Sequence, residues 1–191
     1  MMQYDLVIIG SGPGGRAAAI QAGKLKRRVL VIDRQDRFGG VSVHTGTIPS
    51  KTLRETVLNL SGWRERSFYG RSYRVKDEIG ADDLKMRLHK TLDYEVDVLE
   101  HQFNRNHFDT MSGVARFISP SEVEVTADNG EVTTVSAAHF LIATGTYTYR
   151  PDNVPFNGTT ILDSDEFLEM SQIPRSLVVI GAGVIGVEYA T

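Results

Sequence analysis

Six residues near the start of the chain, Gly10-Ser11-Gly12-Pro13-Gly14-Gly15, can do chemistry through their backbone. They fit the pattern G-x-G-x-x-G. The first glycine permits a tight turn, the second lets main chain approach a pyrophosphate, and the third lets a helix pack closely on a strand. Unpaired N–H groups at the helix start then face the negative charge. Asp33 stands 18 residues beyond Gly15, at the end of the next apolar run. A carboxylate there accepts hydrogen bonds from both hydroxyls of an adenosine ribose and disfavours a 2′-phosphate. Gly39-Gly40 offers a second close backbone approach, and the whole pattern returns at Gly181-Ala182-Gly183-Val184-Ile185-Gly186, 171 residues after the first.

Between the two turns lies GGVSVHTGTIPSK, residues 39–51, in a chain of 191 residues with no cysteine. Disulfides, thiolate catalysis and cysteine metal sites are thereby excluded within this chain, and any redox chemistry falls to a bound cofactor. His44 lies inside this loop and either shapes it or is structural. His89, His101, His107 and His139 lack a metal-ligand arrangement with the carboxylates, so no metal is expected. Asn157-Gly158-Thr159 reads as a turn rather than a glycosylation site.

The elements that must carry these residues follow from periodicity. Tyr4 to Ile9 reads as a buried strand, Pro13 to about Leu25 as a helix kept slim by Ala17, Ala18, Ala19 and Ala22, and Val29 to Ile32 as a second strand closed by Asp33. This is a β-α-β unit with a right-handed crossover, the first half of a doubly wound, mostly parallel sheet. The turn from helix to strand favours glycine at a left-handed position; Lys26 stands there instead, and an early helix end at Gly23 is the alternative. Thr47 is placed to cap a helix with Pro49 in its first turn and Leu53, Val57 and Leu60 on one face. The aromatic residues of the Arg-rich stretch 61–78 are expected to cover the adjoining core. Leu84, Leu88, Leu92, Val96, Leu99 and Phe103 predict a helix from about Asp82 to Arg105, with Lys90, Asp93, Asp97 and Glu100 in water. EVEVTA, DNG and EVTTV predict a hairpin, a small antiparallel β excursion on the main sheet. Phe140 to Ala143 is expected to be a further buried strand ended by ATG. Prolines 151, 155 and 174 mark a connection over 146–176, and Leu177 to Ile180 is expected to be the strand before the second turn.

The expected organisation is thus 1–145, 146–176 and 177–191, the last being the incomplete start of a second dinucleotide-binding domain. A lone strand and partial helix have little to pack against, so the chain reads as truncated or dependent on another polypeptide. A hydrophobic content of 41% with 24% charged residues is that of a folded soluble protein. No apolar run reaches membrane-spanning length and the start lacks a secretory signal, which makes the cytoplasm the expected location. Residues 1–75 hold 13 Lys+Arg against 5 Asp+Glu, while 76–191 hold 8 against 19. An anionic cofactor near the N-terminal part fits this asymmetry, as does a surface dipole without function. The basic residues lack interleaved aromatics, which speaks against nucleic acid.

In order and spacing, GSGPGG, GGVSVHTGTIPSK, ATG and GAGVIGVE resemble the flavin-dependent pyridine-nucleotide disulfide oxidoreductase family, most nearly its soluble pyridine nucleotide transhydrogenase branch. The pieces span Gly10 to Glu188. The resemblance implies an α/β, doubly wound FAD-binding fold, with FAD at the first glycine turn and NAD(H) or NADP(H) at the second. Residues 1–145 would be the N-terminal part of the FAD-binding domain. Disulfide-reducing relatives carry a redox cysteine pair at the positions of Ser42 and Thr47, and neither residue can supply a low-pKa thiolate or a reversible disulfide. The transhydrogenase branch is similar in having threonine in GTIPSK; it commonly retains the first cysteine, so Ser42 departs from it.

The resemblance also implies that Lys51 approaches flavin N5 and pairs with Glu188, the two being the catalytic positions. Independently of it, a nearby cation stabilises negative charge on a reduced flavin, and a carboxylate fixes the ammonium. FAD-binding positions implied in the same way are Gly10, Gly12, Gly14, Gly15, Asp33, Arg34, Gly39, Gly40, Ala115, Thr144 and Gly145. Thr47 and Lys51 would stand beside the isoalloxazine, and Gly181, Gly183 and Gly186 would hold the nicotinamide nucleotide. The implied activity is FAD-dependent hydride transfer between NAD(H) and NADP(H), a ping-pong relay carried out by a homodimer when full length. Two other readings stay open: another flavin-dependent NAD(P)H reductase passing electrons to a quinone or dye, and a nonenzymatic flavin-binding fragment used in assembly.

Overall fold

The computed structural model describes all residues except 1, 71, 72, 74 and 77. It divides into two compact units, one holding residues up to Val43 together with Tyr94–Thr146, the other His44–Asp93 together with Tyr147–Thr191.

The first unit is built on β1 (Met2–Ile9), α1 (Pro13–Lys24) and β2 (Val29–Asp33). β1 and β2 pair in parallel, Val7 opposite Leu30 and Ile9 opposite Ile32. The four buried residues Val29 to Ile32 face alternate sides of the sheet. Leu30 and Ile32 join Tyr4, Val7, Val123, Val125 and Val135 in one cluster. Val29 and Val31 join Ile8, Ala19, Phe103 and Phe108 in another. A strand buried on both faces needs a continuous apolar run, which is what this stretch supplies.

α1 ends in a Schellman-type turn. Arg27 N–H donates to Ala22 O (3.1 Å) and Lys26 N–H to Gly23 O (2.8 Å), with Lys26 at φ 55°. The left-handed residue is therefore Lys26 itself, and Gly23 does not end the helix early. Gly23 is small for another reason: a Cβ there would lie 2.4 Å from the Phe108 ring.

α2 (Val41–His44) and α3 (Thr47–Ser61) carry the loop that follows. Gly46, not Thr47, is the N-cap of α3, and no side chain caps it; Thr47 is already the first helical residue. The buried residues of α3 are Pro49, Ser50 and Thr56; Leu53 and Leu60 are half-buried on the same stripe, whereas Val57 is exposed, so the packed face runs through Thr56 rather than Val57. α4 (Arg66–Tyr69) follows. Trp63, Phe68 and Tyr69 are exposed rather than laid over a core, Tyr69 stacking on Tyr73 at 5.1 Å. Residues 71, 72, 74 and 77 of this stretch lie outside the described residues.

α5 (Ala81–Arg105) buries Leu84, Leu88, Val96, Leu99 and Phe103 and exposes Lys90, Asp93, Asp97 and Glu100, as its stripe predicts. Then come β3 (Asp109–Ser112), β4 (Val114–Ser119), β5 (Glu122–Thr126) and β6 (Val132–Ile142), completing a six-stranded sheet of order β3-β2-β1-β6-β5-β4. β1–β2, β2–β3 and β1–β6 are parallel; β4–β5 and β5–β6 are antiparallel. Phe140 to Ile142 is thus no separate strand. The second hairpin strand runs on for eleven residues, pairing antiparallel with β5 and parallel with β1. The antiparallel excursion is an extension of the main sheet.

In the second unit, α6 (Ser164–Phe167) and α7 (Val184–Ala190) are the only helices after residue 146 among the described residues. Leu177 to Ile180 forms no strand, with Val178 85% and Ile180 97% exposed. A strand needs a neighbour to take its backbone hydrogen bonds, and none lies alongside among the described residues.

Candidate functional site

Parallel pairing brings the carboxyl ends of β1, β2 and β6 to one edge of the sheet. Gly10 N–H donates to Ile32 O (2.7 Å), Ala143 N–H to Ile9 O (2.8 Å) and Gly113 N–H to Asp33 O (2.8 Å). In open α/β sheets this edge is where ligands bind. Gly10 has φ 107°, and a Cβ on it would meet Ala143 O at 2.2 Å; a Cβ on Gly15 would meet Gly10 O at 1.9 Å. Only glycine fits either place. A Cβ on Gly12 or on Gly14 would instead meet nothing within 4 Å. The first bond of α1 runs from Arg16 N–H to Gly12 O, and the amides before it are those that a helix start leaves over for an anion.

Asp33 ends β2 beside this turn. Its Oδ2 accepts from Ser11 N–H (2.8 Å) and from the Ser11 hydroxyl (2.5 Å), and its Oδ1 from Gln35 N–H (3.1 Å). The Gly39-Gly40 pair is close as well: Gly39 N–H donates to Ser11 Oγ (3.0 Å), and a Cβ on Gly40 would lie 2.9 Å from Gly12 Cα. Gly10, Gly12, Gly15, Asp33, Gly39, Gly40 and Thr144 are thus gathered within the first unit. Arg34 is exposed, and so are Thr144 and Gly145. Ala115 stands on β4 opposite Val125 and packs against the core. Ser42, on α2, donates its hydroxyl to Gly39 O (3.3 Å). Ser11 adds a residue beyond the sequence expectations; its signal is a hydroxyl between two glycines, within reach of a carboxylate that ends the next strand.

In the second unit Lys51, in the first two turns of α3, donates from Nζ to Glu188 Oε1 on α7, an ion pair across 137 residues. Glu188 is the more sheltered partner, at 18% exposure against 59% for Lys51. Thr47 is exposed on the same helix, its carbonyl accepting from the Ser50 hydroxyl at 3.2 Å. Glu188 follows Gly181, Gly183 and Gly186, whose turn leads into α7 with Gly183 as N-cap.

α7 leans on α6 through Tyr189, whose ring meets Phe167 edge-on at 5.1 Å. Burial first, then the carboxylates of Asp165 and Glu188, push the Tyr189 phenol up to about 12. Its hydroxyl has no hydrogen-bond partner among the described residues. α6 is held by Asp163, which caps it in a capping box with Glu166 and pairs with Arg150 at 2.6 Å. Burial alone would raise the Asp163 carboxyl. The Glu166 amide and the Arg150 guanidinium outweigh it and hold the group below the usual carboxylate range.

Comparison with known proteins adds a second kind of observation. Residues 4–191 match the family described as pyridine nucleotide-disulphide oxidoreductase. The chain is 50% identical over 192 residues to a soluble pyridine nucleotide transhydrogenase of Mycobacterium tuberculosis (strain ATCC 25177 / H37Ra), covering 100% of this chain and 41% of that protein. It is 35% identical over 188 residues to the soluble pyridine nucleotide transhydrogenase of Colwellia psychrerythraea, covering 98% and 40%. Among solved structures, the Cu(II) complex of the HOCl-induced flavoprotein disulfide reductase RclA from Escherichia coli superposes with TM-score 0.80 at 26% identity, over 100% of this chain and 40% of that one. The chain spans about two fifths of the length of the curated relatives it matches.

Proposed function

The chain belongs to the pyridine nucleotide-disulphide oxidoreductase family, an enzyme family, and from that premise we propose that it serves FAD-dependent hydride transfer between NAD(H) and NADP(H). The observation that carries this reading is the ion pair of Lys51 with Glu188, which joins α3, the helix that begins at Thr47, to the helix that follows the second glycine turn.

The residues present fit an adenine dinucleotide flavin. Open space over Gly12 and Gly14 admits a diphosphate to the start of α1, and Asp33 ends β2 beside them with a carboxylate suited to a ribose hydroxyl. When bound, FAD supplies the reversible two-electron chemistry that no side chain of a cysteine-free chain supplies. In this reading Gly10, Gly12, Gly14 and Gly15 hold the diphosphate, Asp33 the adenosine ribose, and Arg34, Gly39, Gly40, Ala115, Thr144 and Gly145 line the rest. Thr47 and Lys51 stand beside the ring system. Lys51 neutralises negative charge that develops there, and Glu188 fixes the position of its ammonium. Gly181, Gly183 and Gly186 hold the diphosphate of a nicotinamide nucleotide.

The absence of thiols at 42 and 47 supports nicotinamide-to-nicotinamide transfer over disulfide reduction, since disulfide exchange needs a thiolate. The same reading makes the protein a cytoplasmic homodimer, a state that light scattering after size exclusion checks. No helix among the described residues is long and apolar enough to cross a membrane.

Anaerobic stopped-flow absorbance on the complete protein loaded with FAD tests the activity. NADPH or NADH is expected to bleach the flavin band, and the opposite oxidised nucleotide to restore it. A flavin that is reduced but passes its electrons to no oxidised nicotinamide would overturn the assignment in favour of a different acceptor.

A further inference from the structure

The hydroxyl of Ser11 is buried, with the residue 1% exposed, at the meeting point of three segments distant in sequence. It donates to Asp33 Oδ2 at 2.5 Å and accepts from Gly39 N–H at 3.0 Å, while the Ser11 amide donates to the same carboxylate oxygen at 2.8 Å. A hydroxyl has one proton to give and two lone pairs, so these bonds use it as a directed link rather than a filler. Gln35 N–H takes the other oxygen at 3.1 Å. Of the roughly four lone-pair sites of an ionised carboxylate, three are thereby engaged from within the chain. The Asp33 carboxylate cannot rotate without breaking a charge-assisted bond to Ser11, and the Gly39-Gly40 backbone cannot leave the glycine turn without uncovering its amide.

We propose that Ser11 is a positioning residue for flavin adenosine recognition: it holds the Asp33 carboxylate and the Gly39 backbone in their binding arrangement before the ligand arrives. The inference rests on the flavin reading above and goes beyond it by giving a task to the variable residue of the first G-x-G. Preorganisation of this kind raises affinity by removing the cost of ordering the groups on binding.

The test is a double-mutant cycle on the full chain, with the FAD dissociation constant read from quenching of flavin fluorescence. Ser11→Ala is expected to raise the dissociation constant about tenfold, the scale of one charge-assisted hydrogen bond. Asp33→Ala should raise it by as much or more. In the Asp33→Ala background, Ser11→Ala should cost clearly less than in the parent, because the part of its effect that passes through the carboxylate is gone and only the bond from Gly39 N–H remains to be lost. Losses that multiply in the double variant, or a Ser11→Ala protein that binds FAD within twofold of the parent, would overturn the proposal. Ser11→Cys, close in size and a poor donor, guards against unfolding: with unchanged far-ultraviolet circular dichroism it must show the same loss, and parent-like binding by it counts against the role. A parent chain that binds no FAD overturns the flavin reading and this role together, whereas a binding parent with an indifferent Ser11 overturns this role alone.

Discussion

The two glycine turns are near copies locally and unlike in their surroundings. Gly10 and Gly181 have φ of 107° and 120°, Gly12 and Gly183 cap their helices in extended conformation, and a Cβ on Gly15 or Gly186 would strike the carbonyl oxygen of the first glycine at 1.9 Å or 2.2 Å. Around Gly10, however, Ala143 O closes in and Ser11 reaches Asp33 and Gly39. Around Gly181 nothing lies within 4 Å of a built Cβ, and the preceding Leu177 to Ile180 is exposed. The spacing of glycines therefore specifies the shape of the turn, while distant partners decide whether that turn is locked before a ligand binds.

Breaking both turns in the same way should give the largest contrast. Gly15→Ala is expected to cost about 3 kcal/mol or more, since backbone on both sides must shift in a packed layer. Gly186→Ala carries the same local clash and is expected to change the free energy of global urea unfolding by no more than about 0.5 kcal/mol, because α7 alone can yield. Equal losses from the two substitutions in urea unfolding would remove the contrast.

The helix after the second turn gains a tether to α3 from Lys51. Lys51→Met is expected to slow flavin reduction by a nicotinamide about tenfold or more in stopped flow, through lost charge stabilisation. The exposed ion pair should matter little to stability, so the free energy of urea unfolding should stay within about 0.5 kcal/mol of the parent. A large fall in stability with unchanged reduction would make the pair structural.

The support of α7 by α6 can be weakened through its cap. Asp163→Ala should cost about 1 kcal/mol at pH 7. Because the folded-state carboxyl titrates below its unfolded value near about 3.9, its stabilisation is present above that value and fades as pH falls through the lower folded one. Chemical denaturation of both proteins at pH 7 and pH 2 should show the gap narrowing on acidification.

The smallest effect belongs to the far end of α1, where Lys26→Gly should stabilise the first unit by up to about 1 kcal/mol by relieving left-handed strain. No gain in thermal or urea midpoint would mean that unfolded-state entropy of glycine cancels it.

Some elements could be read directly and others could not. The stripe Leu84 to Phe103 announces α5 because burial of one face repeats every three to four residues within a single segment. The left-handed position after α1 could be located from spacing, although a lysine occupies it. β3 leaves no sequence signal, because Asp109–Ser112 has no apolar alternation and is a strand only by lying parallel to β2. The continuity of Phe140–Ile142 with the hairpin is not legible in the sequence, because the strand's change of partner, from β5 to β1, leaves no mark in composition. Val57 looked buried by period, yet Thr56 is the residue that packs, and only the neighbours of α3 choose that face. In the candidate site, the pairing of Lys51 with Glu188 is implied by the resemblance of their contexts and is present in the structure, whereas nothing within a six-residue motif marks Ser11 as more than its filler.

By itself the sequence determined the two glycine turns, the first β-α-β unit and the long amphipathic helix, because each is set by sterics and periodicity among residues a few positions apart. Only the tertiary structure decided which turn is braced, which strands adjoin, and which charges and hydroxyls meet. Those outcomes depend on groups separated by 22 residues for Ser11 and Asp33 and by 137 for Lys51 and Glu188, and their encounter is fixed by packing of the whole chain rather than by any segment of it.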